Sequence, residues 1–219
     1  MAYRTVTQLR DEILAKCQDS SFITSIVVNY LNDAMANISE RAYLPALDTA
    51  SMVTTDTAQN SIALPTDFHR NLYGCHSDTH NSWVPVYDSL GDLERRLTVL
   101  DQAGRVIGVS ITSGSYLYYQ RLPSTAETMT LYYLAKPATI NSSSTPSEIP
   151  EGFSRGLLVN FCLNQVFMVK AIRDPKFMEL ADKYGSLYES DLSDLILKHG
   201  NEHKIPYKPQ DDMNLDLYL

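Results

Sequence analysis

The chain has 219 residues, of which 44% are hydrophobic and 20% charged. That balance excludes a wholly disordered chain, a collagen and a coiled-coil rod, and this length buries roughly 70% of its unfolded surface without metal or disulfide staples. Acidic residues number 26 and basic ones 18, and the net charge of −8 is poorly suited to gripping phosphate backbones.

The elements follow in chain order. Met1 to Lys16 is polar and charged throughout and lacks the apolar core of a signal peptide. Val6, Leu9, Ile13 and Leu14 predict a helix over Tyr3 to Cys17, with Thr5 or Thr7 as its cap. Asp19-Ser20-Ser21 offers capping chemistry for a second helix. Its stripe runs through Ile23, Ile26, Val27, Tyr30, Leu31, Ala34, Ile38 and Ala42, and Pro45 ends it.

From residue 46 to 148 the helical period disappears and Thr, Val and Tyr rise. Met52 to Thr55 and Ser61 to Leu64 read as short strands around the polar turn Asp56 to Asn60. Asn71 to His76 and Ser82 to Tyr87 read as a second pair. Arg105 to Thr112 and Tyr116 to Leu122 are joined by Ser113-Gly114-Ser115, a hairpin signal. Thr128 to Leu134 alternates as a further strand, and a short helix over Ser89 to Val99 interrupts the region.

Helix returns after the Ser/Thr/Pro loop Ile140 to Glu148. Pro150 opens a run carrying Phe153, Leu157, Leu158, Phe161, Cys162 and Val166. Asp174-Pro175 is an N-cap and N1 pair for the next helix, whose apolar face runs from Phe177 to Ile196, with Gly200 as its stop. These two helices are expected to pack as a hairpin on the first two. The final segment, Asn201 to Leu219, holds Pro206, Pro209 and three aspartates yet ends in Met213, Leu215, Leu217, Tyr218 and Leu219. Disordered tails avoid such apolar ends, so an extended arm that docks on a partner is expected.

The pattern predicts an α+β fold with three parts. Residues 1–45 and 149–200 form a helical bundle body, 46–148 a central antiparallel β-rich insertion with one short helix, and 201–219 the extended C-terminal arm. No window approaches 18 uncharged apolar residues, so no membrane span is expected. Cys17, Cys75 and Cys162 are too few and too odd in number for a disulfide framework, which fits synthesis in a reducing cytoplasm.

No phosphate loop, dinucleotide fingerprint, His-Glu-x-x-His or Gly-x-Ser-x-Gly motif occurs. His69, Cys75, His76 and His80 form the single metal-like cluster, but their spacing matches no common zinc pattern. The carboxylate pairs Asp191 with Asp194, Glu179 with Asp182 and Asp211 with Asp212 read as solvated surface. No enzyme, cofactor or metal is therefore expected; a hydrolase or lyase with its site in the sheet region is the weaker alternative. Tyrosine dominates the aromatics, 14 against 6 Phe and 1 Trp. Tyr116, Tyr118, Tyr119, Tyr132 and Tyr133 crowd two strands expected to be adjacent, which places tyrosine on both faces of one sheet. Tyrosine is apolar in body and wet at its tip, so it suits an interface. A soluble module that binds carbohydrate or peptide on this face is a further alternative.

Three stretches, in this order, carry a resemblance. Ile62-Ala63-Leu64-Pro65-Thr66-Asp67-Phe68 forms a leucine-proline-x-aspartate-phenylalanine junction. Val84-Pro85-Val86-Tyr87-Asp88-Ser89-Leu90 leads a strand into a short helix. Leu117-Tyr118-Tyr119-Gln120-Arg121-Leu122-Pro123, followed by Leu131-Tyr132-Tyr133, makes a strand, proline loop, strand pattern. With Ile149-Pro150-Glu151-Gly152-Phe153 opening a long helix, nearly the whole chain resembles the head-to-tail adaptor (connector, neck) proteins of tailed bacteriophages. It departs from that pattern at Ala103-Gly104, where a proline break is expected. The resemblance implies a structural virion protein that forms a homo-oligomeric ring of about twelve copies below the portal protein. DNA passes through the lumen during genome ejection without specific binding. A tail-side ring, in a tail tube or nozzle, is the near alternative. The resemblance places Lys204, Ile205, Pro206, Tyr207, Leu215, Leu217, Tyr218 and Leu219 at the portal, and Tyr116, Tyr118 and Tyr132 at a neighbouring subunit or the tail or nozzle protein.

Overall fold

A computed structural model describes residues 3–18, 24–97, 102–112 and 115–200. The arm residues Lys204 to Tyr207 and Leu215 to Leu219, the Asp19 to Ser21 cap and the Ser113-Gly114 turn lie outside the described residues. The helices are α1 (Val6–Cys17), α2 (Thr24–Arg41), α3 (Leu90–Arg96), α4 (Glu151–Ala171) and α5 (Met178–His199). The strands are β1 (Asp48–Thr54), β2 (Ser61–Ala63), β3 (Phe68–Ser77), β4 (Ser82–Val84), β5 (Val86–Tyr87), β6 (Gly108–Thr112), β7 (Tyr116–Gln120) and β8 (Thr128–Ala135). The fold is α+β. The chain divides into a helical unit, Met1–Leu47 with Pro137–Glu202, and a second unit that includes Asp48–Lys136.

Within the helical unit, α1 opens on a capping box. The Thr5 hydroxyl accepts the Gln8 N–H at 3.3 Å, and the Gln8 side chain accepts the Thr5 N–H at 3.0 Å. α2 buries Val27, Leu31, Ala34, Met35 and Ile38 along one stripe. α4 is the most apolar of the long helices and packs against α1, α2 and α5. Asp174 and Pro175 start a 3-10 turn, Pro175–Phe177, which feeds α5. The loop before α4 is tied down by Asn32, which accepts the Ile140 N–H at 2.8 Å and donates to its carbonyl at 3.1 Å.

Within the second unit, two four-stranded sheets enclose one core. One sheet runs β1-β8-β3-β4 and the other β2-β7-β6-β5. Phe68, Cys75, Met129, Leu131 and Tyr133 from the first meet Val109, Leu117 and Tyr119 from the second. This pairing corrects three expectations. β1 and β2 do not pair across Asp56 to Asn60: β1 lies along β8 and β2 along β7. The Ser82 to Tyr87 strand splits at Pro85, its first half pairing with β3 and its second running parallel to β6. The tyrosine-bearing strands β7 and β8 fall in different sheets. In each case burial decides, because each strand has one apolar side and the core accepts that side from two layers.

The leucine-proline-x-aspartate-phenylalanine junction carries the chain from one sheet to the other. The Phe68 N–H bonds the Pro65 carbonyl at 2.9 Å and closes the turn. Asp67 accepts the Tyr133 hydroxyl at 2.7 Å, and the Phe68 ring lies 5.3 Å from that of Tyr133. Farther along, β3 bulges between Arg70 and Gly74 against β8, with Asn71 in the left-handed region at φ 53°.

Candidate interaction surfaces

The three tyrosines expected to share an interface do not share a face. Tyr116 and Tyr118 point outward from β7, while Tyr132 points outward from β8 in the other sheet. The core between the sheets takes Tyr119 and Tyr133, both fully buried. The Tyr119 hydroxyl accepts the Asp56 N–H at 2.8 Å and donates toward the carbonyls of Asp56 and Gln59, so it closes the β1–β2 loop. These two residues are therefore structural.

The outer face of the β2-β7-β6-β5 sheet is partly roofed by α3. Ser89 caps this helix by accepting the Asp92 N–H at 3.1 Å. Leu93 and Leu97 press onto Gly108, where a Cβ would meet their methyl groups at 2.8 Å. Tyr118 sits at the edge of that contact, its hydroxyl accepting from Asn60 Nδ2 at 2.7 Å. Tyr116 remains half exposed.

The outer face of the β1-β8-β3-β4 sheet carries an aromatic shelf. Register places Tyr132 beside Gly74 on one side and Ala50 on the other, with Trp83 opposite His76. The Trp83 ring stands 5.4 Å from Tyr132 and 5.4 Å from His76, and Tyr73 lies 6.4 Å from Tyr132. Gly74 makes this arrangement fit. A Cβ there would sit 3.2 Å from Trp83 and 3.3 Å from Tyr132, so the two rings close over a bare backbone. Trp83 is 50% exposed and Met52 74% exposed. Such large apolar side chains in the open mark contact surface more often than fold. Sequence reasoning passed over Trp83 and Gly74. The usable signal was a tryptophan at the centre of a three-residue strand, one strand away from a glycine.

Charge enters this face at Asp78, and register sets Asp48 and Arg70 beside Leu134 on the same side. Asp78 accepts the Thr130 hydroxyl at 2.7 Å and lies 3.0 Å from His76 Nδ1. Those bonds, Thr130 first, hold its carboxyl below the usual range.

The metal-like cluster disperses. Cys75 points into the core, its Sγ 3.9 Å from the Met129 sulfur, and burial pushes its thiol up to about 12. His76 pairs with Asp78, whereas His80 lies 3.1 Å from the buried carboxylate of Glu127. Glu127 also accepts the Val106 N–H, and its own N–H donates to Thr55 at 2.8 Å, so it binds loops together. Among the described residues no three His, Cys, Asp or Glu side chains gather as a metal site.

The helical unit offers a second apolar surface, with Met168, Val169, Ile172 and Met178 exposed around the α4–α5 turn. Asp191 is not the solvated carboxylate expected. It turns toward α4, where Asn160 Nδ2 donates to it at 3.0 Å, and burial raises its pKa. No helix of the described residues is long and apolar enough to cross a membrane.

Exposed apolar side chains on the sheets and around the α4–α5 turn are the contact surfaces that this fold presents. The chain belongs to the SU10 adaptor protein family, whose match spans residues 4–206. It is accordingly a bacteriophage adaptor, a structural component of the virion that associates with other head and tail proteins. No curated protein matches it.

Proposed function

We propose that the chain is one subunit of a head-to-tail adaptor ring seated below the portal and lining the DNA channel. The observation that carries this reading is the family match across residues 4–206, nearly the full chain. Lys204, Ile205, Pro206, Tyr207, Leu215, Leu217, Tyr218 and Leu219 are assigned to the portal, and Tyr116, Tyr118 and Tyr132 to the neighbouring subunit or tail. Tyr116 and Tyr132 leave different sheets, so we assign them to separate contacts, each with a neighbouring subunit or the tail. Charge supports the role: each subunit brings −8, and an acidic lumen repels phosphate within a Debye length of about 8 Å. The arm loses conformational entropy on docking and recovers it through apolar burial, roughly 25 cal/mol per Å², repeated around the ring.

The test is native mass, measured on the protein alone and mixed with portal rings of the same virus. Addition of about twelve copies to a portal supports the reading. A protein that ignores the portal overturns it and returns attention to a ligand-binding tyrosine face.

A further inference from the structure

We propose that α3 is a lid: it lifts from the β2-β7-β6-β5 sheet as one piece while both sheets stay folded, and the polar floor beneath it lowers the cost of opening. The inference goes beyond the adaptor reading and does not rest on it.

The floor carries two buried polar side chains. Val109 of β6 and Leu117 and Tyr119 of β7 face the core between the sheets. Ser110 and Gln120, their neighbours along the strands, therefore face the other way, toward α3. Register sets Gln120 opposite Gly108, where a Cβ would meet methyl groups of Leu93 and Leu97. It sets Ser110 between Tyr87 and Tyr118, which pack with the same two leucines. Ser110 and Gln120 are each 0% exposed. Yet the Ser110 hydroxyl and both polar atoms of the Gln120 carboxamide have no hydrogen-bond partner among the described residues. A buried polar group without a partner keeps its full cost of leaving water, whereas an apolar side chain of the same shape does not. Lifting α3 returns both groups to water, which offsets part of the free energy lost as the leucines are exposed.

The helix can move without breaking its own bonds. Ser89 caps it within its first turn, and Asp92 pairs with Arg95 at 3.6 Å and Arg96 at 3.3 Å on the same helix. These bonds travel with it. Tyr87, Leu93 and Leu97 form a small cluster separate from the main core of the sheets. Elements held by so few buried contacts open locally well before their surroundings unfold. The chain ahead of α3 stays pinned, since Val86 and Tyr87 pair with Val109 and Ser110. Asp88 alone separates that strand from the cap, which places the hinge there.

The experiment measures amide hydrogen exchange by mass spectrometry on the isolated full-length protein, comparing the α3 peptide Leu90–Leu97 with β8. In the unmodified protein α3 should exchange at least about tenfold faster than β8. Ser110→Ala/Gln120→Met replaces the two polar groups by apolar ones of similar shape, so it should slow α3 about tenfold and leave β8 within about twofold. Gly108→Ala crowds Leu93 and Leu97 and should speed α3 alone. Far-UV circular dichroism checks that each variant folds, and Ser110→Ala by itself gives the same comparison with a smaller change. Equal exchange of α3 and β8 in the unmodified protein overturns the proposal. So does an α3 rate that the double variant leaves unchanged, as when a trapped water already satisfies both groups. Slowing shared equally by β8 overturns it too, because the gain is then global, and so does Gly108→Ala without effect on α3. No portal enters these measurements, so failure of the adaptor reading leaves them unchanged.

Discussion

Gly156 of α4 and Asp191 of α5 approach so closely that a Cβ at residue 156 would lie 2.5 Å from Asp191 Oδ2. One turn along, Asn160 donates to the same carboxylate at 3.0 Å. The relationship repeats farther along the pair: a Cβ at Gly185 would meet Asn164 Nδ2 at 2.9 Å, and that amide donates to the Ala181 carbonyl at 2.9 Å. Two glycines, one on each helix, thus let the helices close on a polar seam inside an apolar contact.

Gly156→Ala tests this seam. Alanine is the better helix former by about 1 kcal/mol, so an open site would gain stability. Here overpacking against Asp191 should instead cost about 1–3 kcal/mol in urea unfolding. Adding Asp191→Ala should recover part of the loss. A stabilised Gly156→Ala protein would show that the helices part freely.

Glu12 gathers cations in the helical unit. Arg155 grips it with two bonds at 2.7 and 3.0 Å, Arg4 reaches it at 2.7 Å and Lys16 at 2.9 Å. Arg155 contributes most to holding the carboxyl down at about 2, against an ordinary value of 4.5. A folded pKa below the unfolded one means stability that is complete above about 4.5 and lost as pH falls toward about 2. Glu12→Gln should therefore cost about 1–2 kcal/mol at neutral pH, since the arginines are largely solvated. It should also flatten the stability profile between those pH values. An unchanged profile would mean that the cluster adds nothing to folding.

Tyr133 titrates in the opposite sense. Burial first, then its bond to Asp67, pushes the phenol up to about 12 from 10.0. Its raised folded pKa makes stability present below pH 10 and lost as pH rises to about 12. Tyr133→Phe, which keeps the ring contact with Phe68, should lose about 1–2 kcal/mol. In thermal melts it should lose less on passing into alkali than the unmodified protein. Equal alkaline loss in both would locate the sensitivity elsewhere.

Deleting Asp211 to Leu219 addresses the arm. Portal capture in a pull-down should vanish, while the far-UV spectrum and melting temperature of the body stay unchanged. Undiminished capture would remove the apolar terminus from the portal interface.

Sequence alone determined the local events. Thr5 was legible as one of two candidate caps because a cap involves a hydroxyl and an amide three residues away. The helical stripes of α2 and α5 were legible because 3.6-residue spacing is written along the chain. The Leu64 to Phe68 junction was legible as a motif, although its grip on Tyr133 was not. Alternation likewise separated Tyr118 from Tyr119 on β7, since neighbours on a strand face opposite ways. Tertiary structure alone decided which strands became partners. Alternation states which side of a strand is apolar but is silent on which strand lies beside it, and pairing is settled by burying both sheets' apolar sides against one core. That is why Tyr116 and Tyr132 parted company, why Trp83 came to lie over Gly74 across two strands, and why Asp191, read as solvated, turned inward to a glycine 35 residues away in the chain.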